Sequence, residues 1–237
     1  EILANGSTDG FIMSVAKETQ QKKDYHHLVE TINQGMPVVM FDRMIPEINC
    51  DKVIIDDKKG ARQAVQFLID KGAKKVALLT TVDYVSVGKL RTTGYLECLE
   101  SNDLPIDESL ILKIEDMDHY AEKIEEFLKQ TSCDSIFAVN EHFAVEAIRA
   151  LRTQGRSVPE DVSVIAFTDG ELSKHFIPSL TTIKQKGLEM GATAAKLLID
   201  KLERPEDEKE LYQTVILETS LIERESTMPD PEDGDED

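Results

Sequence analysis

Short β-rich runs alternate with amphipathic helical segments along almost the whole of this chain. The run 162–167 constrains the fold most, because so apolar a segment is satisfied only inside a sheet covered on both faces. Such alternation is typical of βαβ units, whose strands form a parallel sheet with right-handed crossovers. The predicted strands are FIMSV (11–15), PVVMFD (37–42), KVIID (52–56), KVALLTT (75–81), LILKI (110–114), SIFAV (135–139) and VSVIAF (162–167). The predicted fold class is therefore α/β, with parallel, doubly wound sheets.

The segments between these strands carry apolar residues at helical spacing. In the segment 58–72 one face is apolar, formed by Ala61, Val65, Leu68 and Ile69. Gly72 is predicted to end this helix and Asp57 to be its N-cap. Further helices are predicted over 89–102, 120–130 and 141–155, and residues 1–6 resemble the last turn of a helix.

The closing part of the chain departs from this rhythm. An extended run (179–185) is followed by a long helix (187–205) and by a run that alternates like one final long strand (213–226). Because these segments have no simple place in a single wound sheet, we expect the chain to return to an earlier lobe. The predicted lobes are an N-terminal lobe of residues 1–57 plus 187–218 and a C-terminal lobe of residues 58–186 plus 219–228, with the final strand crossing between them.

Charge limits the partners that the chain can bind by itself. The formal net charge is −19, and the tail 229–237, which we expect to be disordered, holds six of the acidic residues. An acidic surface repels nucleic-acid phosphate, so these residues alone are not expected to bind DNA.

Several functional classes lack their sequence signals. The three cysteines form no C-x-x-C pair, which favours a reducing, cytoplasmic compartment over a disulfide framework. No apolar run approaches the roughly 18 residues of a membrane span. The five histidines are scattered, and the glycine-rich nucleotide-binding motifs, G-x-S-x-G and H-E-x-x-H are missing. We therefore predict no metal, no cofactor and no enzyme activity.

Polar residues gather where predicted strands end. These ends read FDR (41–43), TTVDYVSVGKLR (80–91), VNEH (139–142) and FTDGE (167–171). In doubly wound sheets ligands bind outside the carboxyl ends of the strands, where loops and helix N-termini converge. Arg43 and Arg91 can each donate two parallel hydrogen bonds to a hydroxyl pair, a carboxylate or a phosphate. Any one of these residues alone could be a cap or a turn residue, but four such ends together favour a small-molecule cleft.

The ordered set of these motifs resembles the effector-binding domain of the LacI/GalR family of bacterial transcription regulators. The similarity covers nearly the whole chain, and VPEDVSVIAF followed by PSLTTIKQ is its most specific part. It implies a two-lobed, periplasmic-binding-protein-like fold with a ligand cleft between the lobes.

The resemblance also implies site residues. The family's ligand-binding arginine corresponds to Arg91, and its cleft asparagine to Asn140. The strand-ending aspartate of the family is replaced by Thr168, a loss of one charged acceptor that leaves an acidic or phosphorylated ligand open beside a plain sugar. The full set of predicted ligand-binding residues is Asp42, Arg43, Ser86, Arg91, Asn140, Thr168 and Asp169.

The resemblance implies an assembly as well. The helix HFAVEAIRALRTQG and the segment KHFIPSL resemble the family's dimer contacts, which predicts a homodimer interface at Ala144, Ile148, Leu151 and Phe176. The first three of these residues fit equally well as the buried face of their helix. The resemblance includes no counterpart of the family's helix-turn-helix module, nor of the first strand, first helix and second strand of its N-terminal lobe. We therefore expect that lobe to be incomplete and FIMSV to be an open sheet edge.

The predicted function is that of the ligand-sensing and dimerising region of a LacI-type regulator. The effector is expected to be a sugar or sugar derivative that stabilises one lobe angle, and DNA is expected to be bound only through the helix-turn-helix module. A periplasmic sugar-binding protein of a transport system is the alternative. An enzyme is a further one, although Ser86, Asp83 and His142 follow no recognised catalytic order.

Overall fold

The computed structural model describes residues 8–83, 85–115, 117–204 and 211–228. They cluster into an N-terminal unit (the described residues within 1–56, 84–87 and 186–218) and a C-terminal unit (those within 57–83, 88–185 and 219–237). The predicted lobes differ from these units by one residue at two boundaries and in the assignment of 84–87. Whether these two units act as the two lobes of a ligand-binding protein stays a prediction. The predicted helix end at 1–6 and the predicted disordered tail at 229–237 lie outside the described residues.

Strands alternate with helices along most of the chain, as predicted, and the helices at 17–22, 26–33 and 171–175 are additional to the predicted ones. In chain order they are β1 (Phe11–Met13), α1 (Lys17–Lys22), α2 (His26–Asn33), β2 (Val38–Phe41), β3 (Asp51–Ile55), α3 (Asp57–Asp70), β4 (Val76–Thr81), α4 (Ser86–Ser101), β5 (Ile111–Ile114), α5 (Tyr120–Gln130), β6 (Ser135–Ala138), α6 (Glu141–Thr153), β7 (Ser163–Phe167), α7 (Glu171–His175), β8 (Thr181–Lys184), α8 (Gly187–Leu202), β9 (Thr214–Leu217) and β10 (Ser220–Ile222). A short 3-10 helix, Glu108–Leu110, precedes β5. Within the described residues no helix is long and apolar enough to cross a membrane.

The N-terminal unit is built on a parallel sheet. Among the described strands its order is β1-β2-β3-β9, so β1 lies at an edge. Its core includes Val15, Leu28, Val38, Met40 and Ile45. Helix α8 packs on this sheet, where Leu198 fills the space beside Gly10.

The C-terminal unit contains the larger sheet. Its order among the described strands is β10-β8-β7-β6-β4-β5, parallel throughout except for the antiparallel pair of β10 and β8. Every residue of β6 and β7 is buried, as expected for strands covered on both faces. This α/β architecture with parallel sheets confirms the predicted fold class.

Close helix packing in this unit depends on a glycine. A Cβ at Gly94 of α4 would overlap the backbone carbonyl of Lys58 and the side chain of Ala61 in α3. The predicted apolar face of α3 is buried at Ala61, Val65 and Leu68. The absence of a side chain at Gly94 lets α4 approach that helix closely.

The final strand is not continuous. The sequence alternates through 213–226, but the structure has two strands, and each joins a different sheet. β9 pairs with β3 in parallel, whereas β10 pairs with β8 in the antiparallel sense. The break falls at Glu218 and Thr219, where the chain passes from one unit to the other.

Candidate functional site

The carboxyl ends of β4, β6, β7 and β8 come to one edge of the C-terminal sheet, because these strands run parallel to one another. This is the edge where ligands bind in doubly wound folds. We call it the polar rim, defined by Asp57, Arg91, Asn140, Thr168, Asp169 and Gln185.

Arg91 is the most strongly constrained residue of the polar rim. Its Nε and Nη2 atoms each lie 2.7 Å from Asp57 Oδ1, and its Nη1 donates to the Val139 carbonyl oxygen at 2.7 Å. The guanidinium carbon lies 3.8 Å from the centre of the Phe167 ring, a cation–π distance. The Arg91 and Asp57 side chains are only 6% and 4% exposed. These contacts fix the orientation of the guanidinium.

Asp57 has a role that the sequence did not reveal. It was predicted to be the N-cap of the helix after β3, but it is the first residue of α3. Its carboxylate is the counter-charge of Arg91, which is 34 positions away in the sequence. Because an aspartate at the start of a helix is common for local reasons, this partner could not be predicted from the pattern of residues.

Asn140 is the N-cap of α6. Its Oδ1 accepts a hydrogen bond from the Phe143 N–H at 2.9 Å, so part of its bonding capacity has a structural use. The next residue, Glu141, accepts from the Gly170 N–H at 3.1 Å and from Ser173 Oγ at 2.9 Å. These bonds connect the start of α6 to the loop that follows β7 and to helix α7.

Thr168 and Asp169 follow β7 and have different environments. Thr168 has a φ of 87°, in the left-handed region that a β-branched residue rarely adopts, and its Oγ1 accepts from Gln185 Nε2 at 3.0 Å. Asp169 Oδ1 accepts from Arg224 Nη2 at 2.6 Å and from Thr182 Oγ1 at 3.1 Å. Asp169 is therefore already paired, whereas Thr168 contributes an uncharged hydroxyl.

The N-terminal unit has its own polar strand end, after β2. Asp42 has a φ of 58°, and its Oδ2 lies 3.7 Å from Arg43 Nε. Arg43 Nε also donates to Ser14 Oγ at 3.3 Å. Ser86 begins α4 and belongs to the same unit, where its backbone N–H donates to Gln20 Oε1 at 2.9 Å.

The predicted dimer residues divide into two groups. Ala144, Ile148 and Leu151 are completely buried within the single chain, because the apolar face of α6 packs in the core of its own unit. These three residues therefore fit the alternative of a buried helix face, and whether they take part in an interface stays a prediction. Phe176 is half-buried, and its role at an interface stays a prediction.

The cysteines and acidic residues of the described part of the chain were compared with the arrangements that hold metal ions. Burial raises the pKa of the Cys50, Cys98 and Cys133 thiols. Among the described residues no group of three or more histidine, cysteine, aspartate or glutamate side chains is arranged to hold a metal ion.

Comparison with known proteins relates this geometry to a family. The model of the periplasmic binding protein-like domain matches residues 65–227, which is more than half of the chain. The solved transcriptional regulator CelR, in complex with cellobiose, superimposes with a TM-score of 0.82 at 30% identity, covering 95% of this chain and 68% of that one. This chain belongs to the LacI-type regulators through its periplasmic binding protein-like domain.

Other LacI-type proteins align over most of the chain. The HTH-type transcriptional regulator DegA of Bacillus subtilis is 30% identical over 233 residues, covering 96% of this chain and 66% of that protein. The ribose operon repressor of Haemophilus influenzae is 30% identical over 194 residues, covering 81% and 58%. A LacI family regulator from Enterococcus faecium, solved with bound ribose, has a TM-score of 0.82 at 27% identity, covering 96% and 82%. The chain spans about three fifths of the length of these two curated relatives.

Within the LacI-type chain the predicted ligand residues fall into two sets. Four of them lie on the polar rim of the C-terminal unit: Arg91, Asn140, Thr168 and Asp169. The other three lie in the N-terminal unit: Asp42, Arg43 and Ser86. Sequence reasoning missed Asp57, Gln185 and Arg224, whose partners are distant in the chain. Whether any of these residues binds a ligand stays a prediction.

Proposed function

We propose that this chain is the sensing region of a DNA-binding regulator and binds a small hydroxyl-rich molecule, such as a sugar, at the polar rim. The observation that carries the proposal is the fixed Arg91 guanidinium beside the Val139 carbonyl, where strand β6 ends. An arginine has five N–H donors, and the bonds to Asp57 and Val139 use three of them. A pre-oriented donor group of this kind suits the paired hydroxyls of a sugar ring.

Neighbouring groups add to this recognition. The Asn140 amide and the Thr168 hydroxyl stand at the ends of adjacent strands and provide uncharged donors and acceptors. We propose that Asp42, Arg43 and Ser86 of the N-terminal unit contribute further contacts. The bound ribose of the Enterococcus faecium regulator and the bound cellobiose of CelR support a sugar as the ligand class.

The role is proposed to be regulation without catalysis. The relatives named above are transcription regulators, which favours this role over sugar transport and over an enzyme. We propose a cytoplasmic location, supported by three free, buried cysteines. With a net charge of −19 these residues are not expected to bind DNA, and we propose that another segment of the whole regulator does so.

A ligand screen tests the binding proposal. Thermal shift of the purified chain against pentoses, hexoses and disaccharides is expected to reveal a sugar that raises the melting temperature, because ligands that bind the folded state stabilise it. Calorimetry with Arg91→Gln is then expected to show at least a tenfold loss of affinity for that sugar. Arg62→Gln is the matched control, since Arg62 is exposed and contacts Glu97. Equal affinities for the wild type and Arg91→Gln would contradict the assignment.

We also propose a homodimer, with its contact on the exposed surface beside α6 and α7. Ile177 is 74% exposed and Leu172 is 41% exposed, and Arg152 donates to the Ile177 carbonyl. Single exposed apolar side chains are common, so the proposal depends on the position of Ile177 next to the predicted contact residue Phe176. Ile177→Asp is expected to convert a dimer into a monomer in light scattering. Leu188→Asp is the control, because Leu188 is 95% exposed but lies in the N-terminal unit. A dimer that survives Ile177→Asp would exclude this surface.

A further inference from the structure

The counter-charge of Arg91 bears on the kind of ligand that the polar rim accepts. We infer that Asp57 is a specificity-determining residue, which makes the Arg91 anchor electrically neutral and so selects uncharged ligands over anionic ones. This inference rests on the proposed ligand site at the rim. It concerns the charge of the ligand. The sequence left that charge open, because Thr168 stands where the family has an aspartate.

The geometry of the pair supports this inference directly. Both Nε and Nη2 of Arg91 converge on the single atom Oδ1 of Asp57, at 2.7 Å each. Both side chains are almost entirely removed from water, so their interaction is only weakly screened by salt. An isolated arginine is the preferred protein partner of carboxylates and phosphates. Arg91 has its carboxylate already, supplied by the chain itself.

The charges around the pair do not favour an anion either. Glu141 lies next to Asn140 and adds a negative charge, held by the Gly170 N–H and the Ser173 hydroxyl. Asp169 is matched by Arg224, so that pair brings no net positive charge to the rim. Together these residues carry three negative and two positive charges.

An anion and a neutral ligand therefore meet different forces at the same donors. A hydroxyl oxygen can accept hydrogen bonds from the remaining guanidinium donors at no electrostatic cost. A phosphate or carboxylate at the same position is attracted by Arg91 but repelled by the carboxylate of Asp57, and like charges at close range are strongly unfavourable. Asp57 thus lets Arg91 act as a fixed hydrogen-bond donor without the usual preference of arginine for anions.

Paired ligands test this inference on the unmodified protein. Calorimetry compares the best-binding neutral sugar of the screen with its own phosphate ester, each at low and at physiological ionic strength. We expect the phosphate ester to bind at least about tenfold more weakly. A phosphate ester that binds as tightly as the sugar or more tightly, with a dependence on Arg91, would overturn the inference and leave the proposed ligand site intact. Binding of neither compound class would instead overturn the proposed function.

A charge-neutral variant provides the second arm. Asp57→Asn keeps the shape of the side chain but removes its charge, and we expect it to shift the ratio of the two affinities at least about tenfold towards the phosphate ester. Asp70→Asn is the matched control, because it removes an exposed charge at the other end of the same helix. A purely structural role of Asp57 would weaken both ligands equally. An unchanged ratio in folded Asp57→Asn would therefore contradict the inference, and the wild-type comparison decides it if that variant does not fold.

Discussion

Replacing Asp57 by asparagine tests how the buried ion pair contributes to the stability of the C-terminal unit. The substitution removes the carboxylate that contacts Arg91 Nε and Nη2 and leaves the guanidinium in its place. Arg91 is 6% exposed and cannot reach solvent without rearrangement of α4. The Val139 carbonyl and the Phe167 ring remain as its partners, and neither carries a negative charge to balance it.

The expected loss follows from this uncompensated charge. Removing one partner of a buried pair costs about 3–5 kcal/mol, because the other charge stays buried without its counter-ion. For a unit of this size about 1 kcal/mol corresponds to roughly 2–4 °C in melting temperature, so we expect a decrease of roughly 6–20 °C. Asp70→Asn, at an exposed position, is expected to change stability by less than about 0.5 kcal/mol.

Urea unfolding followed by circular dichroism, without ligand, measures these differences at a common slope of free energy against denaturant. Replacing both partners, as Asp57→Leu with Arg91→Met, removes both charges and is expected to recover part of the loss. Recovery is incomplete, because the Val139 carbonyl then lacks its donor, at a cost of about 1–3 kcal/mol. A single Asp57→Asn variant as stable as Asp70→Asn would refute the assignment of a buried, charge-balancing role.

Three further predictions follow from packing and burial. Gly94→Ala is expected to lower the free energy of unfolding, measured in urea, by about 1–3 kcal/mol, because the new Cβ overlaps the Lys58 carbonyl. Alanine is otherwise the better helix former, so a stabilised variant would contradict the close helix contact. Ile148→Ala is expected to lose about 2–5 kcal/mol with no change of oligomeric state in light scattering, since Ile148 is core; a change in assembly would argue for an interface. A thiol reagent at pH 8 is expected to react with folded protein far more slowly than with protein in denaturant, because burial raises the thiol pKa and restricts access; rapid native reaction would contradict the burial of Cys50, Cys98 and Cys133.

The parallel sheets could be predicted because their strands are buried on both faces. Strands β6 and β7 lie in short apolar runs bounded by polar turns, and runs of this length favour a buried strand over a helix. The end of the chain was harder to predict, because apolar and polar residues alternate with the same period on both sides of Glu218 and Thr219. Periodicity describes local geometry, and it does not record that the chain changes sheets.

The site could be predicted only in part, for a related reason. Arg91 and Asn140 lie at recognisable positions near strand ends, so their approximate location followed from pattern and resemblance. The partner of Arg91 could not be located in this way. Asp57 has the pattern of an ordinary helix start, and it contacts Arg91 only because the chain folds back through β4 and α4. Side-chain pairing across elements depends on tertiary packing, and one sequence contains little direct information about it.

In the proposed ligand site the Arg91 and Asp57 pair serves recognition more than stability. Burying two charges costs several kcal/mol per ion, and their attraction often only offsets this cost, so the ion pair adds little net stability beyond the hydrogen bond of Arg91 to the Val139 carbonyl. An apolar pair, however, would place no guanidinium at the end of β6, and an arginine there without Asp57 would attract anions. The same pair therefore accounts for two expectations: a large loss when one partner is removed, and a rim that binds uncharged hydroxyls in preference to phosphates.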